Sequence, residues 1–181
     1  MTTFASRLAG PEDLPGLEAL MSRAIEELQR AHLSSEQIAA SKTFMGLDRQ
    51  LIADGTYFVL EAEGRTAGCG GWSRRATLYG GDHTPGRDAA LLDPARDPAR
   101  VRAMYTHPDF ARRGVGRRIL ELCEAAAAAE GFAAVELMAT LAGHELYSRC
   151  GYQPVEQIVD DRGGAPVPLI RMRKAISPGP G

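Results

Sequence analysis

The sequence predicts an α/β fold built on one central mixed sheet with helices on both faces. Three observations predict it. The hydrophobic periodicity changes along the chain in the order strand, helices, hairpin, strand–helix, strand–helix, hairpin. Residues 100–131 read as a strand, a turn and a long helix, the unit around which a layered α/β domain is organised. The chain has 181 residues, 44% of them hydrophobic, which is enough for one core and no more than one ordinary domain. The expected domain spans residues 1–176, with a disordered tail at 177–181.

Each element has a local reason. Phe4 to Leu8 is a first strand, and Pro11, Glu12 and Asp13 suit a helix's first turn, where acids meet its positive end. Leu14, Leu17, Leu20, Met21, Ala24, Ile25 and Leu28 recur at helical spacing. Ser34 and Gln37 form a capping box for a second helix reaching about Met45, and Asp48 to Ala53 makes a short third helix broken by Asp54-Gly55. Residues 56–63 and 66–73 pair as a hairpin about a Gly64-Arg65 turn, with a bulge suggested by Gly70 and Gly71. Residues 74–99, rich in Gly and Pro, form a long loop inserted between strands. A strand ending at Thr106 follows, then a turn forced by Pro108 and a helix through the alanines 125–129 that Gly131 stops. Val135 to Met138 is a strand and Gly143 to Cys150 a helix. Tyr152–Asp160 and Val167–Lys174 close the chain as a hairpin around Arg162-Gly163-Gly164.

Composition excludes several classes. With 21 basic and 23 acidic residues the net charge is −2, so a general nucleic-acid or membrane-surface role is not expected. Cys69, Cys123 and Cys150 are widely spaced and odd in number, which argues against a disulfide framework and against a metal site. A reducing, cytoplasmic setting fits them. No basic-then-apolar leader and no long uncharged apolar run is present.

The junction after residue 106 points to an anion site. A helix start leaves about four N–H groups unpaired and carries roughly half a positive charge. Gly114 and Gly116 let a phosphate approach that backbone, and Arg112, Arg113, Arg117 and Arg118 stand beside it. A dinucleotide fingerprint would need Gly or Ala where Ile119 stands, and no Gly-Lys-Ser/Thr of a P-loop occurs.

His107-Pro108-Asp109, then Arg112-Arg113-Gly114-Val115-Gly116 and a leucine-rich helix, resembles the acetyl-CoA motif of the GNAT superfamily of N-acetyltransferases. Ala111 stands at the first position of that family's Gln/Arg-x-x-Gly-x-Gly/Ala pattern. Leu146-Tyr147 with Gly151-Tyr152 resembles the family's second cofactor segment, and Thr140 occupies a position where the family often has Asn. The element order matches over nearly the whole chain. The resemblance implies a central mixed, mostly antiparallel sheet and acetyl-CoA as co-substrate, with no metal. It implies cofactor contacts from Met104, Tyr105 and Thr106 and from the backbone cradle of Arg112, Arg113, Gly114, Val115, Gly116 and Arg117. It gives Tyr147 the role of protonating the departing thiolate.

The reaction so implied moves an acetyl group to a primary amine by direct attack in a ternary complex. The acceptor is a small-molecule or peptide amine, and a homodimer is compatible with the sequence. Fixed donors near Met104 to Thr106 suit the thioester oxygen. A free tyrosine has a pKa of about 10 and a thiol about 8.5, so full transfer from Tyr147 is uphill by roughly 2 kcal/mol, and a hydrogen bond that strengthens as charge develops is the expected form. For the general base His107, His144, Glu145, Asp82, His83, His32, Glu36 and a water chain all stay open. Ser148 near His144 lacks a Gly-x-Ser-x-Gly elbow, so a hydrolase is rejected. Two rival readings remain: a non-catalytic acyl-CoA sensor of the same fold, and a nucleotide binder, which competition between CoA and ATP would separate.

Overall fold

The computed structural model describes residues 2–179. Seven strands form one sheet in the order β1-β2-β3-β4-β5-β7-β6. They are β1 (Ala5–Leu8), β2 (Tyr57–Ala62), β3 (Arg65–Ser73), β4 (Ala99–Thr106), β5 (Ala134–Thr140), β6 (Gln153–Asp160) and β7 (Val167–Ala175). Every neighbouring pair is antiparallel except β4 and β5, so the expected mixed, mostly antiparallel sheet is what the chain builds.

Five helices flank it: α1 (Leu14–Glu27), α2 (Ser35–Ser41), α3 (Arg49–Ala53), α4 (Val115–Ala129) and α5 (Leu141–Arg149). The apolar stripe of α1, Leu17 to Ile25, packs with Leu51 of α3 on Tyr57, Val59 and Cys69 on one face. On the other face Ile119, Leu120, Cys123 and Ala127 of α4 meet Leu60, Trp72, Val101, Val135 and Leu137. Each Leu or Ile removed from water in this way contributes about 1.5–3 kcal/mol. A third cluster joins Leu33, Ala40 and Phe44 to Val167 and Leu169 at the β7 end.

The Ser34–Gln37 capping box is present, with each side chain bonding the other residue's backbone N–H at 3.2 and 2.9 Å. α2 ends at Ser41, earlier than the expected Met45. The first hairpin turns at Glu63 and Gly64, both at positive φ (56° and 71°), one residue before the expected Gly64-Arg65. That left-handed pair is the form which matches strand twist, so the chain accepts a non-glycine residue there.

The expected bulge is real, but its extra residue lies on the partner strand. Cys69 pairs with Tyr105 and Gly71 with Arg102, so two residues of β4, Ala103 and Met104, oppose Gly70 alone. Ala103 takes a φ of 49°. The β3 glycines answer a different need, close approach: a Cβ on Gly71 would lie 2.5 Å from the Thr56 carbonyl, and one on Gly68 would lie 2.3 Å from Val115. Residues 74–98 are one long excursion over the sheet, pinned by an Arg75–Leu91 bridge. Of the expected tail, Gly179 donates to the Ala128 carbonyl at 2.8 Å, and residues 180–181 lie outside the described residues.

Candidate active site

β4 and β5 set the site by parting. Their parallel ladder pairs only Ala99 with Val135 and Arg100 with Glu136. Beyond it the strands diverge, and the gap opens into a cleft of about 660 Å³, its mouth included, lined by Met104, Tyr105, Met138, Thr140 and Tyr147 among others. His107 N–H bonds the Ala67 carbonyl on β3 at 2.9 Å. Strand alternation then directs Tyr105 toward β3 as well, and turns the backbone groups of Met104 and Thr106 toward the missing β5 ladder. The bulge at Ala103 is what resets that alternation. Tyr57 Oη donates to the Ala103 carbonyl at 2.6 Å, and Gly46 N–H donates to Tyr105 Oη at 2.8 Å, so hydroxyls from β2, one strand beyond β3, and from β4 itself hold the bulged segment.

The α4 entry is the second part. Arg112 (φ 60°) and Gly114 (φ 91°) turn the chain through left-handed conformations, and Gly114 caps the helix with no side-chain bond to its first N–H groups. Those donors have no side-chain acceptor, the arrangement that suits a helix start to an anion. Space beside Gly114 is open, whereas a Cβ on Gly116 would lie 2.4 Å from Leu146 of α5. Gly116 therefore serves the close approach of α4 and α5.

The four arginines do not act alike. Arg113 turns away from the helix start: its guanidinium lies 4.6 Å from the centre of the Phe110 ring, donates to Thr2 Oγ1 at 3.0 Å and pairs with Glu63. Only its backbone N–H stays available to the cradle. Arg118 pairs with Glu121 along the helix surface. Arg112 and Arg117 are exposed and make no ion pair among the described residues.

Tyr147 is brought to the cleft by α5, which Thr140 caps through its hydroxyl from Gly143 N–H at 3.2 Å. A helix opening at Thr140 puts residue 147 two turns on, with its ring edge-on to Tyr152 at 5.9 Å. Gly143 makes room for it, since a Cβ there would lie 2.8 Å from the ring. Burial first, and the Cys123 and Cys150 thiols after it, raise the Tyr147 phenol well above its ordinary value. The phenol therefore stays protonated at neutral pH and is able to donate a hydrogen bond.

A strand gap, a bulge and a tyrosine thus meet at one cleft, and the uncapped α4 start approaches α5 where Gly116 faces Leu146, the residue before Tyr147. The profile described as an acetyltransferase (GNAT) domain matches residues 53–154. The chain belongs to the GNAT acetyltransferase family. It is an acyltransferase by that membership. Among solved structures, the GCN5-related N-acetyltransferase of Rhodopseudomonas palustris is 22% identical, with a TM-score of 0.72 over 97% of this chain and 98% of that one. The ribosomal-protein-S18-alanine N-acetyltransferase of Escherichia coli is 19% identical, TM-score 0.59, over 98% and 97%. The protein yncA of Salmonella typhimurium, solved with its cofactor acetyl-CoA, is 17% identical, TM-score 0.63, over 98% and 96%. These likenesses concern the fold. No curated protein matches the chain.

The GNAT domain places the residues considered as bases away from the cleft lining. His107 Nδ1 accepts from Asp109 N–H at 3.1 Å and so orders the turn. Glu145 pairs with Arg149 on the exposed side of α5. His32 and Glu36 are exposed and do not line the cleft. Asp82 bonds Arg49 N–H at 3.0 Å, and His83 bonds the Lys42 carbonyl at 2.6 Å, which ties the long loop down. Three features escaped the sequence. Tyr57 as the bulge clamp, Ala103 as its extra residue, and Asp48 buried against Arg102 at 2.7 Å all depend on pairs far apart in the chain. The one trace of them was Arg102, a charged residue in a strand that the core buries in part.

Proposed function

We propose that this GNAT domain transfers an acetyl group from acetyl-CoA to a primary amine by direct attack in a ternary complex. Its catalytic unit would be residues 1–176. The observation that carries the reading is the β4–β5 gap opening beside Tyr147, with the uncapped start of α4 packed on the same helix α5 through Gly116 and Leu146. Acetyl-CoA supplies an activated acyl group on a good leaving thiolate. The N–H groups of the Arg112–Arg117 cradle receive its phosphates, with Arg112 and Arg117 adding charge. The Met104 and Thr106 backbone faces the thioester, where a fixed donor favours negative charge on oxygen. Tyr147 hydrogen-bonds the sulfur as it departs.

Calorimetric titration with acetyl-CoA, beside amine-dependent release of free CoA, tests the reading. Binding with turnover supports it. Binding without turnover on any amine favours the acyl-CoA sensor, and displacement of CoA by ATP favours a nucleotide binder.

A further inference from the structure

We propose that the acceptor is a weakly basic primary amine with an apolar body, which enters the cleft as its free base and is deprotonated by no side chain of this protein. This rests on the acetyl-transfer reading above. An amine reaching the thioester beside Tyr147 and Met104 passes Phe44, Leu78, Tyr79, Met138 and Leu169. Among the described residues that line the cleft there is no carboxylate, imidazole or ammonium. Its titratable groups are Arg102 of β4 and the phenols of Tyr79, Tyr105 and Tyr147.

Each of these four is held in a state that cannot take a proton. Arg102 is buried and donates to Asp48 Oδ2 at 2.7 Å and to the Thr77 carbonyl at 3.3 Å, with a further bond to the Gly80 carbonyl. Arg87 shares the same Asp48 oxygen at 2.7 Å, so that carboxylate is engaged twice. Tyr79 donates to Asp160, which Arg162 also holds. Tyr105 and Tyr147 are raised by burial, and so is Tyr79. Glu18, Lys42, Arg49, Asp82 and His83 line a second hollow that shares Met45 and Gly46 with the cleft. There Asp82 pairs with Arg49, Lys42 with Glu26, and His83 donates Nε2–H to the Lys42 carbonyl, while Glu18 of α1 is exposed to solvent on the far side of Met45 and Gly46 from the cleft lining.

An ammonium has no counter-charge in such a cleft, and a second one on a polyamine has none either. The free base must therefore come from solution. A lysine-like amine with a pKa of about 10.4 is neutral in roughly one molecule in a thousand near pH 7.5, whereas an α-amine at about 7.7–8.0 is neutral in about a third. Basicity thus selects the acceptor. In the reaction the amine nitrogen bonds the acyl carbon and the carbon–sulfur bond breaks. The nitrogen gives up one hydrogen and the sulfur ends with one, so atoms balance as amide plus free thiol.

The test compares phenylalaninamide with 2-phenylethylamine, which share a ring and spacing but differ in basicity, and with spermidine. kcat/KM is followed from pH 6 to 10. The expected result is a rising limb that moves with each amine's own titration and an advantage of about a hundredfold for phenylalaninamide at pH 7. The two values should agree within a few-fold once corrected for free base, and His83→Gln should leave the limbs in place. A limb at one pH for both amines, its loss in His83→Gln, or preference for spermidine would overturn the inference. Acetyl-CoA is titrated calorimetrically in the same preparations. Binding with spermidine preferred defeats this inference alone, while absence of binding defeats the transfer reading with it.

Discussion

The Tyr57 hydroxyl holds the Ala103 carbonyl at 2.6 Å, a bond between residues 46 apart that fixes the one bulge facing the cleft. Tyr57 is buried, and Ala103 sits at a φ of 49°, a conformation an alanine adopts only under constraint. Removing the hydroxyl in Tyr57→Phe should lower stability by about 1–2 kcal/mol, the usual loss when one buried partner disappears. kcat should fall more than acetyl-CoA affinity, because Met104 and Thr106 lose their alignment while the α4 cradle does not. Melting curves, titration and steady-state kinetics on the same variant check all three.

Tyr147→Phe separates chemistry from packing. The ring keeps its place beside Tyr152 and Gly143, and only the hydroxyl goes. A loss of about ten- to a thousandfold in kcat, with kcat/KM falling alongside and the KM for acetyl-CoA little changed, is expected. An unchanged kcat with a shifted Tm would assign Tyr147 to packing.

The arginines should divide by their partners. Arg112→Ala and Arg117→Ala are expected to raise the acetyl-CoA Kd about two- to fivefold, an effect that shrinks as salt rises. Arg113→Ala should instead cost about 1 kcal/mol of stability, since its guanidinium covers Phe110 and pairs with Glu63. Titration at two salt concentrations, beside thermal melts, distinguishes the two patterns.

Gly116→Ala tests helix approach. The new methyl meets Leu146 at 2.4 Å, so overpacking of about 1–3 kcal/mol is expected. Leu146→Ala in the same chain should recover part of that loss. A double variant no better than the sum of its parts would show that the strain lies elsewhere.

His107 gives a pH dependence. Burial above all holds its pKa below the ordinary 6.5, with Arg23 and Arg65 adding to it and Asp109 opposing. The folded chain therefore binds its proton less readily than the unfolded chain. The stability it contributes is complete above about pH 6.5 and is lost as pH falls through the lower folded value. Denaturant melts from pH 7.5 to 5 should show the wild type losing more stability than His107→Asn, which can still accept from Asp109 N–H.

Short-range physics made much of this protein legible from its sequence. The capping box at Ser34, the Pro108 turn, the helix entry at Gly114 and the spacing of Leu17 to Ile25 act within a few residues, so the sequence carries them directly. The α4 entry and Tyr147 were readable for the same reason, each marked by a local motif. The bulge was half readable: the glycines at 70–71 lie at the irregularity, but which strand carries the extra residue depends on pairing across the sheet. The tertiary structure alone decided that Arg113 turns to Glu63, that Asp48 closes on Arg102, and that no carboxylate is among the described residues lining the cleft. Those outcomes follow from which side chains a splayed parallel pair and a long loop bring together, and separation along the chain does not encode that proximity.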